Sequence, residues 1–367
     1  MERIRRAIAE QRLEHALALA DYAVRRWPHD AQVLLASARL AKRANRTLAA
    51  LRLLRAAEAV GCDAAAPERR LLVEQCAPYW HFRMMNDEAR NQAYDLALRH
   101  HVTPDTVVLD IGCGAGLLSM MAARAGAKHV YACDVSELMA HQARQIIAAN
   151  GYAERVTVIN GLSHQLVLGR DLPGRVDLVV AEVFDTGLLG ESAMATFAHA
   201  RTHLLAPHGQ LLPPRATVRA VLLESDRLHR EVITTRCCGF DVHSLNVLSP
   251  PYFQARLDAF PHRLLSSPQA AARYDFSRTV EPQIPSVVTF RAARDGTCHG
   301  VAFWFSLDFG HDDNELSTGP ESPWNCWSQA VSAFEIPVQV RAGDEVSVRL
   351  THSDHQMIQF AKAPHTR

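Results

Sequence analysis

The sequence predicts an α/β chain in three parts: a helical repeat segment, a doubly wound α/β domain and a β-rich, barrel-like domain. Three observations predict it. A short apolar strand runs into a glycine-rich turn at 107–119, V-V-L-D-I-G-C-G-A-G-L-L-S. A second apolar run at 176–180 leads into Glu182, as a buried parallel strand ending at a ligand crevice would. From residue 215 onward the pattern changes to apolar/polar alternation rich in Val, Phe and Thr, the period of antiparallel strands.

Length and charge bound the rest. A chain of 367 residues has room for two or three domains. With 48% apolar residues and a formal net charge of zero, composition makes no electrostatic case for nucleic acid or a membrane surface. No apolar run approaches the roughly 20 residues of a membrane-spanning helix. The eight cysteines form no C-x-x-C pair, which argues against a zinc site and fits a reducing, cytoplasmic setting.

Residues 1–75 are rich in Ala, Leu and Arg at helical spacing. At an offset of 34 residues, Ala16 and Leu17 fall on Ala50 and Leu51, Leu19 on Leu53 and Ala23 on Ala57. A 34-residue period of helix pairs is the tetratricopeptide signature, and Ala16, Ala20, Ala23 and Pro28 take its small-residue and proline positions. Two such repeats are fewer than the three that stand alone, so the segment is expected to pack on the body of the protein. A partner-binding groove and a packing extension are equally good readings of it.

The stretch 79–94, Y-W-H-F-R-M-M-N-D-E-A-R-N-Q-A-Y, reads as one helix with Met84, Asp87 and Asn91 on a stripe and Met85 and Arg90 to its sides. In the glycine turn, Gly112, Gly114 and Gly116 alternate, and Leu117 stands where a dinucleotide fingerprint needs its third glycine. Alternating glycines permit close backbone approach without offering a pyrophosphate seat, which suits S-adenosylmethionine. The next strand, 130–134, ends in Asp134, 24 residues after Asp110, where an acid accepts ribose hydroxyls. Beyond Glu182 the chain reads V-F-D-T-G-L-L-G before Glu191. Gly187 and Gly190 let the loop fold back and bring the two carboxylates together. Converging carboxylates need a cation, and a planar guanidinium with its fork of donors suits them best.

The β-rich part is expected to hold strands at 216–225, 286–293, 298–309 and 345–352, with a proline-marked, loop-rich section after the first. A site between it and the α/β domain would be natural.

With these motifs in place, the chain resembles the protein arginine N-methyltransferases of class I from about Tyr79 to its C-terminus. Glu182 and Glu191 match that family's double-glutamate loop in residue type and spacing, and D-I-G-C-G-A-G matches its cofactor motif. The resemblance implies a Rossmann-like S-adenosylmethionine-binding domain over 76–214 and a β-barrel domain over 215–367. It also implies a dimerisation arm near 227–262, based at G-F-D-V-H (239–243), and hence a homodimer. It implies catalytic roles for Glu182 and Glu191. The cofactor would be held by His81, Arg90, Asp110, Gly112, Gly114, Asp134, Ser163 and His164, with Arg90 on its carboxylate. Met84 and Trp327 would line the substrate pocket, Trp327 within a closing loop at 317–329. The branch most similar carries tandem methyltransferase halves, and one of its member types has N-terminal tetratricopeptide repeats.

Three departures stand out. The pocket loop has Cys326 where the family has histidine, so an Asp–His contact from Asp87 is not available. The tyrosine pair that precedes the His81 helix is missing. Only one methyltransferase half is present, which points to two chains dimerising in place of two halves.

A free guanidinium, protonated at any physiological pH, is a poor nucleophile until carboxylates draw its charge toward the nitrogens they hold. Repulsion between the glutamates is expected to raise the pKa of one of them. The implied acceptor is arginine in a protein or peptide. Free L-arginine or a small guanidine of specialised metabolism is the alternative, and a non-catalytic repeat-bearing scaffold is the alternative of another class.

Overall fold

The computed structural model describes residues 7, 12–278, 287–311, 315–322, 324–352 and 358–362. The first four helices are α1 (Leu13–Arg26), α2 (Ala31–Arg43), α3 (Thr47–Ala59) and α4 (Ala65–Cys76). Their alanine-rich faces make two small cores, with Ala16, Ala20 and Ala23 in one and Ala38, Ala50 and Ala57 in the other. Small side chains let these helices approach closely, which is why the repeated alanines point inward. Asp30 starts α2 by accepting from the backbone N–H groups of Gln32 and Val33.

The helical segment does pack on the body. Leu138, from the following domain, joins its second core. The Leu48 N–H donates to Glu137 Oε2 at 3.0 Å, and the Ser136 hydroxyl donates to the Cys76 carbonyl at 3.3 Å.

The single helix expected over 79–94 is two. Helix α5 spans Trp80–Met85 and α6 spans Glu88–His101. The break has a local cause: Asp87 takes an extended backbone (φ −83°, ψ 91°) and its Oδ1 accepts from the Arg90 N–H at 3.0 Å. A capping aspartate gains that bond only outside the helix. The proposed Met84–Asp87–Asn91 stripe therefore does not exist as a helix face.

The doubly wound domain follows: β1 (Val107–Ile111), α7 (Leu117–Ala125), β2 (His129–Asp134), α8 (Glu137–Ala149), β3 (Val156–Asn160), β4 (Val176–Ala181), α9 (Ala193–His199) and β5 (Leu205–Leu212). The strands are parallel in the order β3-β2-β1-β4-β5, so strand order reverses between β1 and β4. Ligands bind outside the carboxyl ends of strands at such a switch point. Val108, Leu109, Val130, Val179 and Val180 are fully buried, as strands covered on both faces require.

Beyond β5 the chain is antiparallel. Strands β6 (Arg215–Glu224), β9 (Phe253–Ala255), β10 (Arg263–Leu264), β11 (Gln269–Asp275), β13 (Gly296–Asp308), β14 (Glu315–Ser317) and β15 (Gln329–Val340) form one sheet. Strands β12 (Val287–Arg291), β16 (Glu345–His352) and β17 (Ile358–Lys362) form another. Where a barrel was expected, these ten described strands thus pair in two sheets, joined at Ser332, whose hydroxyl donates to Phe360 O at 2.9 Å. Ser286, expected to begin the second strand, lies outside the described residues. Between β6 and β9 a short helix, α10 (Asp226–His229), leads into a small hairpin of β7 (Arg236–Cys237) and β8 (Phe240–Asp241). One apolar core runs through both domains, from Val179 in the parallel sheet to Phe184, Phe197, Phe276 and Phe305 at the junction.

Candidate active site

A cavity of about 760 Å³ opens at the carboxyl ends of β1, β2 and β4, walled by α5, by the loop after β4 and by residues 326–327. That volume is ample for a small ligand, for which roughly 300–1,000 Å³ is usual. Its floor is the glycine turn. Gly112 has φ +74°, and a Cβ there would meet Val183 Cγ1 at 3.0 Å, so the backbone passes where a side chain would not fit. The Gly112 and Cys113 N–H groups both donate to Cys133 O, which fixes the turn against β2. Asp134 lines the cavity and is braced at both oxygens, by the Gly114 N–H at 2.9 Å and the Ser136 N–H at 2.8 Å.

Asp110 is placed differently from expectation. It is buried behind the turn, does not line the cavity, and accepts from the Ser119 hydroxyl at 2.5 Å. Burial pushes its pKa up to about 7. Its hydrogen bond goes to α7, where Ser119 lies, and not to the turn itself. His81, Ser163 and His164 all reach the cavity. His81 packs on Trp80, its Nδ1 is buried without a partner among the described residues, and burial lowers its pKa, so the ring is neutral. His164 packs its ring on His199, with centroids 4.4 Å apart.

The double-glutamate loop follows β4 directly. Glu182 and Glu191 both line the cavity. Glu191 keeps exposed surface at the cavity that it lines. Desolvation, then the charges of Glu182 and Asp185, pushes its pKa up to about 7. The loop is built around Asp185, which accepts from the Gly190 N–H at 2.7 Å and from the Tyr252 hydroxyl. Two glycines make room for those contacts. A Cβ on Gly187 would lie 2.5 Å from the Tyr252 ring, and one on Gly190 would lie 2.5 Å from the Asp185 carboxyl. These glycines serve close approach, and neither of them has a positive φ.

Arg90 does not line the cavity. Its Nε (3.0 Å) and Nη2 (2.6 Å) both donate to Glu182 Oε2, over the ring of Tyr94. Both partners are almost fully buried, with side chains 3% and 5% exposed. The expected partner of a cofactor carboxylate is here committed to a catalytic candidate, and it compensates one of two carboxylates that would otherwise repel.

Met84 and Trp327 line the cavity as expected. Trp327 is also the bolt of its loop. Its indole N–H donates to Phe184 O at 2.8 Å, and its carbonyl accepts from the Thr186 hydroxyl (2.9 Å) and the Gln254 amide (2.7 Å). Asp87 compensates for the missing histidine: its Oδ2 accepts from the backbone N–H of Cys326 at 2.8 Å. One carboxylate therefore caps α6 and ties the 317–329 loop. Sequence reasoning missed Asp87 in this double role, together with Tyr94 and the Asp185–Tyr252 pair. A capping signal at Asp87 was available; the other two depend on contacts across 67 residues or more.

Fold and site together define a class: an α/β methyltransferase-type domain with paired carboxylates beside the cofactor crevice, followed by an antiparallel sheet domain. Residues 95–210 match the model of the ribosomal protein L11 methyltransferase (PrmA), and residues 214–361 match the arginine methyltransferase oligomerization subdomain. The chain is 40% identical over 278 residues to the arginine N(omega)-methyltransferase of Streptomyces achromogenes subsp. streptozoticus, covering 76% of this chain and 77% of that one. It is 32% identical to protein arginine N-methyltransferase 1 of Schizosaccharomyces pombe, covering 74% and 81%. Among solved structures it is similar to the Trypanosoma brucei PRMT1 enzyme–prozyme heterotetrameric complex with AdoHcy, at a TM-score of 0.66 and 25% identity, over 78% of this chain and 94% of that one. The chain belongs to the arginine methyltransferase family.

Proposed function

We propose that this chain transfers a methyl group from S-adenosylmethionine to a terminal guanidino nitrogen of arginine. The observation that carries the reading is the convergence of Glu182 and Glu191 on one cavity, close enough that Glu182 helps hold the Glu191 pKa at about 7.

The cavity residues fit the cofactor. Gly112 and Gly114 leave the backbone open to it, Asp134 has lone pairs left for ribose hydroxyls, and Ser163 and His164, which line the same cavity, would take its adenine. When bound, it supplies a methyl group on a positively charged sulfur. The chain supplies the rest. Two carboxylates form a seat for one guanidinium. Glu182 is positioned by Arg90, and Glu191 is ionised when the cation arrives, because an opposite charge favours the carboxylate form. Held this way, the guanidinium keeps its charge on the nitrogens that the glutamates contact, and the remaining nitrogen is directed at the methyl group. Orientation of this kind is worth up to roughly 7–11 kcal/mol in favourable cases. Glu191 then accepts the proton that leaves the methylated nitrogen, as a group with a pKa near working pH can.

Several finer points belong to the same proposal. The division at residues 75 and 214 gives a tetratricopeptide-like segment, a cofactor domain and a sheet domain. The 227–262 segment is the dimerisation arm of a homodimer, supported by the exposure of Phe240, Leu245, Val247 and Leu248. Eight free cysteines fit a reducing, cytoplasmic setting. The acceptor is arginine in a protein or peptide, or free arginine; the Streptomyces relative's name favours the second.

Methyl-labelled cofactor offered with free arginine and, separately, with arginine-rich peptides tests the function. Label recovered as an N-methylated guanidine supports it. Label transferred to no guanidine, by folded protein that binds the cofactor, refutes it.

A further inference from the structure

The cavity is acidic. Asp134, Glu182, Asp185 and Glu191 line it, and among the described residues that line it Arg83 alone carries a permanent positive charge. Arg83 is also poorly engaged. Its guanidinium lies 5.5 Å over the Trp324 ring, and its one hydrogen bond among the described residues, from Nη2 to Asn325 O, is 3.5 Å long. It meets no carboxylate at ion-pair distance among the described residues, whereas Arg90 spends its fork on Glu182.

Its neighbours place it on the acceptor side. Met84 adjoins it, and Asn325 and Trp324 belong to the loop that Asp87 ties down at Cys326 and Trp327 anchors to Phe184. The cofactor side, with Gly112, Gly114, Asp134 and Ser163, lies along the strand ends.

Free arginine carries a guanidinium at one end and a carboxylate at the other. The glutamate pair takes the first, and a planar guanidinium fork takes a carboxylate bidentately. In a polypeptide that carboxylate is consumed in an amide bond, so a built anchor for it would go unused. We infer that Arg83 binds the α-carboxylate of the acceptor and selects free arginine, or a similar guanidino acid, over arginine within a chain. This rests on the guanidine-methylation reading above and names its substrate class.

The test compares L-arginine with agmatine, the same molecule without its carboxylate, and with a terminally blocked arginine peptide. In the unaltered enzyme kcat/KM for arginine exceeds that for agmatine and for the peptide by ~100-fold or more. In Arg83→Ala the arginine/agmatine ratio collapses to ~5-fold or less, through KM, and Arg83→Lys restores part of it. Calorimetry of S-adenosylmethionine binding to Arg83→Ala shows little change.

Equal use of arginine and agmatine by the unaltered enzyme overturns the inference. So does a ratio unmoved in Arg83→Ala, or preference for the blocked peptide or for one carrying acidic neighbours. Loss of cofactor affinity in Arg83→Ala would make Arg83 the cofactor's carboxylate anchor and equally overturn it. Titration of arginine and agmatine into the protein reads the same discrimination without turnover. Failure of the methylation reading, with no guanidine labelled, is thereby told apart from failure of carboxylate recognition.

Discussion

Replacing Glu182 with Gln and Glu191 with Gln should move stability in opposite directions, although both remove one carboxylate from the same cavity. Glu182 is half of a buried pair in which two Arg90 nitrogens donate to one oxygen, at 3.0 and 2.6 Å. Glu182→Gln keeps an acceptor oxygen but leaves a guanidinium that is 3% exposed without its counter-charge. Breaking such a pair costs about 3–5 kcal/mol, and the retained acceptor puts the amide at the lower end, about 3 kcal/mol. At roughly 2–4 °C per kcal/mol for domains of this size, the midpoint falls by roughly 6–12 °C.

Glu191 behaves in the opposite sense. Its folded pKa is raised from 4.5 to about 7 by burial and by Glu182 and Asp185. A carboxyl raised on folding favours the folded state while protonated, and that contribution is lost as pH rises through about 7. At pH 8 the ionised Glu191 opposes folding, so Glu191→Gln melts at or above the unaltered protein. Thermal unfolding of the three ligand-free proteins at pH 8 reads the contrast. Equal falls for both variants, or a Glu182→Gln midpoint within ~1 °C of the parent, would refute the assignment of Glu182 to Arg90 and Glu191 to the open cavity.

Other outcomes follow from the same geometry. The kcat/KM for the acceptor should rise with pH through about 7, as Glu191 ionises in the free enzyme, and the kcat limb should lie lower because a bound guanidinium favours the carboxylate; a single limb at an ordinary carboxyl pKa would count against this. Asp87→Ala removes the cap of α6 and the tie to Cys326, so the cap alone costs about 0.5–2 kcal/mol and kcat/KM falls further than stability explains; unchanged kinetics would show that the tie is incidental. Gly187→Ala puts a methyl against the Tyr252 ring and displaces Tyr252 from Asp185, lowering kcat with cofactor affinity retained, checked by kinetics beside calorimetry.

The parts of this molecule set by short-range pattern were legible in its sequence. The glycine turn, the strand leading to Glu182 and the alternation of β12 and β16 each follow from residue spacing, and spacing dictates burial there, whereas β13 is buried on both faces along most of its length. Most of the expected site residues meet at one cavity for the same reason, because strand ends in a parallel sheet share an edge. The exceptions depend on tertiary contacts. Arg90 finds Glu182 across 92 residues, and no local pattern tells a cofactor anchor from a partner of the catalytic loop. Asp110 reads as a strand-end acid, but the turn buries it behind its own backbone. At Asp87 a helical stripe and a capping signal competed, and the cap prevailed because its hydrogen bond satisfies an N–H that the helix cannot.

The central claim, that Glu182 and Glu191 seat a guanidinium for methyl transfer, is tested most directly in Glu191→Gln. That substitution leaves the Arg90 pair and the cofactor floor untouched. Single-turnover transfer of labelled methyl to arginine is measured beside the cofactor's Kd. The account predicts no detectable transfer with Kd within ~3-fold of the parent. Transfer at near-parental rate would contradict it.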